Sequence, residues 1–318
     1  MSKPAIDPEI AIFVDEMRRA WASHPPFMSL PVAEARSVAE TVRARWRTGG
    51  PDMRQTLDLT AATAAGPLRI RLYDPGAPNP GPALVYLHGG GFTLFSIDTH
   101  DRLMREYAAA GNFRVIGVDY PLSPEARYPK ALDQLVALAG WLDEGGADRL
   151  GVDRSKVAFG GDSAGGNLAM ATALRLRDAG ARLQPMALLL NYGAFDTRCS
   201  DEAEARLGGP DAVLNRAEMA YYHANYLGDD PYREDPYARP ILADLADLPP
   251  TFLVVPECDV LSEQSLAMAA RMAEAGLEVS SKVYPGATHS FLEAMSVARV
   301  AREAIAGGAA WLGAQFAR

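Results

Sequence analysis

Apolar residues recur at close to helical spacing over residues 8–22, at Ile10, Ile12, Phe13, Met17 and Trp21, and His24-Pro25-Pro26 ends the run. A second helical pattern covers 32–46 until Thr48-Gly49-Gly50-Pro51 breaks it, so two helices are predicted ahead of any strand. From Thr56 the pattern changes to alternation. Residues 57–61 and 68–73 predict two strands joined at Gly66-Pro67, the antiparallel edge of a sheet. Further strands ending near Leu87, Asp119, Gly160, Asn191, Pro256 and Tyr284 alternate with helical patterns, which predicts an α/β fold with a mostly parallel sheet covered by helices on both faces. Residues 196–240 lose this regularity and are rich in charge and aromatics, as in Tyr221-Tyr222-His223, so they are expected to lie over the sheet edge as an insertion. Residues 295–316 predict one long C-terminal helix against the sheet.

One stretch stands out within that pattern. Gly160-Gly161-Asp162-Ser163-Ala164-Gly165-Gly166 sets a serine between glycines, after a short apolar strand at 157–159 and before a helical pattern at 167–177. A strand-to-helix turn this tight is a nucleophile elbow, in which bulk at Gly161 or Gly165 would clash with adjacent elements. It should project the Ser163 hydroxyl into solvent at the C-terminal edge of the sheet, where open α/β sheets bind their ligands. The following helix aims free N–H groups at any oxyanion formed there. About seventy residues upstream, a strand at 83–87 runs into His88-Gly89-Gly90-Gly91-Phe92. A loop without side chains lets main-chain amides reach a developing alkoxide, which assigns the N–H groups of Gly90, Gly91 and Ala164 to an oxyanion hole.

The pair HGGGF and GDSAGG resembles the hormone-sensitive-lipase-like esterases, the bacterial family IV carboxylesterases of the α/β-hydrolase fold, over about residues 50–318. The resemblance implies a sheet of about eight strands, serine carboxylester hydrolysis without metal or organic cofactor, and triad partners in the chain order Ser, Asp, His. His88, Gly89, Gly161, Asp162 and Gly165 support the two motifs. It also implies a cap over the site, drawn here from about 1–50 and about 196–240, on a single domain spanning 1–318. Asp119-Tyr120-Pro121-Leu122-Ser123-Pro124-Glu125 is similar to the family's DYRLAPE stretch, with Pro121 for the usual arginine and Ser123 for the alanine.

A protonated serine needs a base within reach, and the chain has 5 histidines. His24 lies in the N-terminal segment, His88 opens the glycine triplet, His100 begins the next helix, and His223 sits among cap-like tyrosines. His289 remains, on a loop 285–288 that follows a strand at 279–284 at the sheet edge carrying Ser163; Ser290 stands where the family has glycine. The acid must orient the imidazole. A strand at 251–255 leads into Pro256-Glu257-Cys258-Asp259-Val260-Leu261, and Asp259 matches the family's acid although Val260 replaces its proline. Glu257 is the close rival. Asp162 should be a hydrogen-bonded structural carboxylate. Phe92, Tyr192 and Tyr222 are expected to line the substrate pocket.

Composition narrows the remaining options. At 318 residues and 48% hydrophobic, the chain suffices for one large α/β domain, and its net charge of −9 without a basic block argues against nucleic acid or anionic membrane as a partner. The 2 cysteines, Cys199 and Cys258, fall in neither a metal-ligand spacing nor a disulfide framework. The first residues lack the features of a signal peptide, and no apolar run reaches spanning length, so a cytoplasmic protein acting on a small-molecule ester is expected. The expectation is a carboxylesterase for short- to medium-chain acyl esters. An amidase or lactonase on the same triad, or a non-catalytic receptor of the kind represented by the plant gibberellin receptor, are the alternatives; His289 disfavours the receptor. Oligomeric state, a homodimer included, stays open.

Overall fold

The computed structural model describes residues 3–318. Two helices lead, α1 (Pro8–Ala22) and α2 (Val32–Arg43). Asp7 caps α1 by accepting the N–H groups of Glu9 and Ile10, and Pro8 occupies the first helical position, where its missing donor costs nothing. The buried face of α1 is Ile10, Phe13, Val14 and Met17. Ile12, expected on that face, is 48% exposed, because two residues along a helix is over half a turn. α2 stops at Arg43 rather than 46; turns carry the chain on, and Trp46 packs edge-on to Phe13 with ring centroids 4.8 Å apart.

Eight strands follow, interleaved with helices: β1 (Gln55–Thr63), β2 (Gly66–Asp74), β3 (Gly81–Leu87), α3 (Asp101–Gly111), β4 (Arg114–Val118), α4 (Lys130–Trp141), the single turn α5 (Ala147–Arg149), β5 (Val152–Asp162), α6 (Ala164–Asp178), β6 (Leu188–Asn191), α7 (Asp201–Leu207), α8 (Arg216–Leu227), β7 (Thr251–Cys258), α9 (Ser262–Glu274), β8 (Val279–Thr288) and α10 (Arg299–Phe316). They form one sheet in the order β1-β2-β4-β3-β5-β6-β7-β8. β1, β2 and β4 pair antiparallel, and every pair from β4 onward is parallel. This is the α/β-hydrolase arrangement, with β1 and β2 as the antiparallel edge.

Strand alternation sorts side chains onto two covered faces. Ala83, Val85 and Leu87 of β3 join Val157 and Phe159 of β5 against α4, α6 and α9, while Leu84, Tyr86 and Ala158 face α3, α10 and the apolar stripe of α1. The N-terminal helix is therefore part of the second core layer. Two boundaries differ from the periodicity. The C-terminal pattern is a short 3₁₀ turn, Phe291–Ser296, then α10, because Ala298 is extended and interrupts the helical backbone between them. Residues 285–288, expected as a loop, continue β8 past an irregularity in its pairing with β7.

Candidate active site

β5 ends at Asp162 beside β3, with Gly161 level with Leu87 and Asp162 level with Asn191 of β6. This register puts the turn after β5 next to the loop after β3. Ser163 occupies that turn at φ 53°, ψ −117°, a backbone region that L-residues avoid unless their surroundings hold them there. Its N–H donates to the Asn191 carbonyl at 2.9 Å, and its own carbonyl accepts from Asn167 and Ala194. Gly165 has no room for a side chain: a Cβ there would sit 1.9 Å from the Leu87 carbonyl oxygen. The elbow expected from the motif is thus pinned on three sides. One expectation is corrected. Ser163 is only 8% exposed, so its hydroxyl opens into a covered cavity and not into bulk solvent.

His289, just past β8, and Asp259, just past β7, meet Ser163 there. His289 Nε2 lies 3.0 Å from Ser163 Oγ, and its Nδ1 lies 2.7 Å from Asp259 Oδ2. A carboxylate only accepts, so Nδ1 carries the proton, and Nε2 is left as acceptor for the serine hydroxyl. The other Asp259 oxygen accepts the Leu261 N–H at 3.0 Å, which fixes the carboxylate plane. Glu257 points elsewhere and accepts the Gly286 N–H at 2.9 Å. Tyr192, expected in the substrate pocket, is fully buried behind His289 with ring centroids 5.1 Å apart; it supports the imidazole and does not line the cavity. The strand position of Tyr192, one past β6, turns it inward.

The glycine loop after β3 faces the elbow. Gly90 and Gly91 have φ of 111° and 59°, and among the described residues neither their N–H groups nor that of Ala164 donate to any protein acceptor. Three unsatisfied amides converging beside a serine are suited to bind an oxyanion. Asp162 holds this loop: Oδ1 accepts from Tyr86 Oη at 2.9 Å and from the Gly89 N–H at 3.1 Å, and Oδ2 lies 3.3 Å from His100 Nε2. Burial alone would keep Asp162 protonated, but His100 and the hydrogen bonds from His100 and Tyr86 hold it below the usual carboxylate range. His100 shows the reverse balance, since burial opposes its charge and the Asp162 carboxylate overrides that and raises it. His88 is pushed down to about 3, first by burial and then by His100, so it is a neutral packing ring stacked on Tyr120.

The wall of the cavity over Ser163 comes from three parts of the chain. The catalytic edge supplies Phe92, Phe95 and Leu261, the N-terminal segment supplies Trp21, Phe27 and Arg43, and the region around α8 supplies Leu214, Met219 and Tyr222 among others. Phe92 and Tyr222 lie where the sequence placed them. Phe92 also stacks on Tyr226 at 3.8 Å, and a Cβ on Gly91 would meet the Tyr222 ring at 2.2 Å, so α8 rests directly on the glycine loop. Sequence reasoning missed Arg43, Glu218 and Glu293. Arg43 and Glu293 form a buried pair, 2.8 Å apart, in the cavity wall. Glu218 closes the capping box of α8 with Asn215, and burial pushes its carboxyl up to about 7. No local pattern marks these three charges in the sequence, since only the fold brings them to one wall.

Among the described residues no group of three or more His, Cys, Asp and Glu is placed to hold a metal ion, and no helix is long and apolar enough to cross a membrane. Cys258 lies buried beside the N-terminal segment, and Cys199 is half-buried; both are free thiols.

Residues 84–293 match the family model described as alpha/beta hydrolase fold. The structure is similar to a hyperthermophilic esterase from the archaeon Pyrobaculum calidifontis, at 31% identity and a TM-score of 0.91 over 98% of each chain. It is also similar to a thermophilic, thermostable carboxylesterase cloned from a metagenomic library, at 30% identity and a TM-score of 0.85 over 91% of this chain and 98% of that one. An esterase of the bacterial hormone-sensitive lipase family matches at 29% identity and a TM-score of 0.86, over 98% of this chain and 99% of the other. With its own two motifs on the same edge of the same sheet, this chain belongs to the hormone-sensitive-lipase-like esterases of the α/β-hydrolase fold.

Proposed function

We propose that the protein is a serine carboxylesterase for small-molecule esters with short to medium acyl chains, working through an acyl-enzyme on Ser163. The observation that carries this reading is the unbroken line from Ser163 Oγ through His289 to Asp259, at 3.0 and 2.7 Å, beneath unsatisfied loop amides. His289 takes the serine proton as Oγ attacks the ester carbonyl, and Asp259 stabilises the imidazolium that results. The oxyanion takes hydrogen bonds from Gly90, Gly91 and Ala164, donors that need no reorganisation at that moment. His289 then gives its proton to the leaving alcohol. Water enters, loses a proton to the same nitrogen, and releases the acid as the sequence runs in reverse.

Residues of about 1–50 and 196–240 act as a cap on this one domain and keep bulk water from the acyl-enzyme. The apolar lining from Trp21, Phe27, Leu214 and Met219 suits an alkyl chain. A receptor on this fold would need the cavity but would have no use for an aligned base. The deciding measurement is release of nitrophenol from an activated acetate ester by wild type and Ser163→Ala. Loss of the nucleophile should lower turnover by about 10⁴-fold or more. Retention of above about a tenth of the activity in a pure variant would overturn the assignment.

A further inference from the structure

The cavity contains a charged pair that the hydrolytic chemistry does not use. Arg43, at the end of α2, is 6% exposed, and Glu293, in the turn after His289, is 5% exposed. Glu293 Oε1 lies 2.8 Å from Arg43 Nη1, near enough to neutralise the charge. Beyond that contact, Nε of Arg43 and Oε2 of Glu293 are buried without a hydrogen-bond partner among the described residues. Buried polar atoms are nearly always satisfied, so an ion pair in a cavity wall with hydrogen-bonding capacity left over is suited to a polar ligand group. Aromatic rings flank the guanidinium, with Cζ 4.9 Å from the Phe95 centroid and 5.8 Å from that of Phe13.

Its location fixes what it would meet. A second hollow lies between α1 and the 210–213 loop, and the two share Trp21, Phe27, Arg43, Val213 and Glu218 in their walls. Arg43 thus stands on the wall that both hollows share. We infer that Arg43 and Glu293 form a recognition site for a neutral hydroxyl group on the substrate, so that the preferred substrates are hydroxyl-bearing esters. This rests on the esterase reading above and names its substrate class.

A hydroxyl fits both halves of the pair, since its oxygen accepts from the Arg43 guanidinium while its hydrogen is donated to the Glu293 carboxylate. A carboxylate fits poorly, because Glu293 already cancels the positive charge and Glu218 stands on the same wall. An alkyl chain passing the pair offers it no hydrogen bond, so it gains nothing from these polar groups.

The test uses two ladders of matched esters with the full-length enzyme: acetates of ω-hydroxyalkyl alcohols, and ethyl ω-hydroxyalkanoates, each against the alkyl ester of equal heavy-atom length. The quantity read is the ratio of kcat/KM for hydroxyl over alkyl, in wild type, Arg43→Met and Arg43→Lys. At the length that spans the cavity, the wild-type ratio should exceed that of Arg43→Met by about tenfold or more, with Arg43→Lys between them. If Arg43→Met does not fold, Glu293→Gln provides the second reading. It keeps the side-chain volume and frees the arginine charge, so the ratio for a carboxylate-ended ester over its hydroxyl counterpart should rise about tenfold. Plain acetate esters turned over with equal ratios in all variants at every length would overturn the inference alone. Absence of any ester turnover by folded wild type would overturn the esterase reading beneath it.

Discussion

Asp162 Oδ2 lies 3.3 Å from His100 Nε2, with both side chains buried beneath the glycine loop. The residue beside the nucleophile therefore looks away from it. Its other oxygen ties the Gly89 N–H and Tyr86 in place, so the conformation of the glycine loop depends on this carboxylate.

Replacing that carboxylate tests the dependence. Asp162→Asn should lower kcat about 10- to 100-fold with little change in KM, because the loop amides lose their alignment to the transition state. It should also destabilise the fold by about 3 kcal/mol, as removal of one partner from a buried pair does. The sign of the pH effect follows from the two shifts. Asp162 sits below its usual range, so its contribution is present above about pH 4 and is lost as pH falls through the depressed value. His100 sits above its usual range, so its contribution is present below about pH 6.5 and is lost as pH rises through the elevated value. The Tm advantage of wild type over Asp162→Asn should thus be largest between those limits. A Tm difference that stays constant from pH 4 to pH 9 would mean that the pair is not charged.

The acid assignment separates two neighbouring carboxylates. Asp259→Asn should lower kcat by about 10³ to 10⁴, since the amide favours the wrong imidazole tautomer. Glu257 binds only the Gly286 N–H, so Glu257→Gln should cost about 1 kcal/mol of stability and leave kcat within about twofold. Steady-state kinetics and thermal melts on both variants decide it, and reversed effects would reassign the acid.

The chemistry was legible in the sequence because it sits at breaks in pattern. Ser163, His289, Asp259 and the glycine loop each follow a buried apolar strand, and a parallel sheet brings all such ends to one edge. The cavity wall was not legible for the opposite reason. Arg43 lies in a helical pattern whose spacing reports only which face is apolar, Glu218 in the stretch without regular pattern, and Glu293 between His289 and the C-terminal pattern, so each reads as a solvated charge. Tyr192 and Ile12 failed similarly: one position along a strand end, or two along a helix, reverses a side chain. The full extent of β8 was hidden by Pro285 and Gly286, which punctuate a strand that continues through them.

Glu218 gives a pH test of the wall. Its folded pKa of about 7 lies above the ordinary glutamate value, because burial disfavours the charge. The folded state therefore holds a proton that the unfolded chain releases, and stability falls as pH rises from about 4.5 to about 7 and then levels. Glu218→Gln keeps an N3 residue able to complete the capping box and never ionises. It should match wild type near pH 4.5 and exceed it by about 1 to 3 kcal/mol at pH 8. Urea melts at the two pH values read the difference, and equal stabilities at pH 8 would refute the raised pKa.

The N-terminal segment has two jobs on two faces, and they can be separated. Ile10, Phe13 and Met17 of α1 are packed into the core with Trp46 and Tyr284, so removing the segment would strip a core layer and report mainly on folding. Trp21 and Phe27 instead line the cavity, 5.4 Å apart, with Phe27 stacked 5.9 Å from Tyr222 of α8. A chain extending from Ser163 would lie against these rings, whereas an acetyl group would not reach them. Each methylene buried is worth about 0.8 kcal/mol, so losing contact with about two or three should cost octanoate esters about 10- to 50-fold in kcat/KM. The double variant Trp21→Ala/Phe27→Ala should therefore lower the octanoate-to-acetate ratio by that factor. Phe13→Ala, a core change, should lower stability by about 3 to 5 kcal/mol and leave the same ratio untouched. A double variant whose ratio equals that of wild type would show that this segment supports the fold and takes no part in holding the chain.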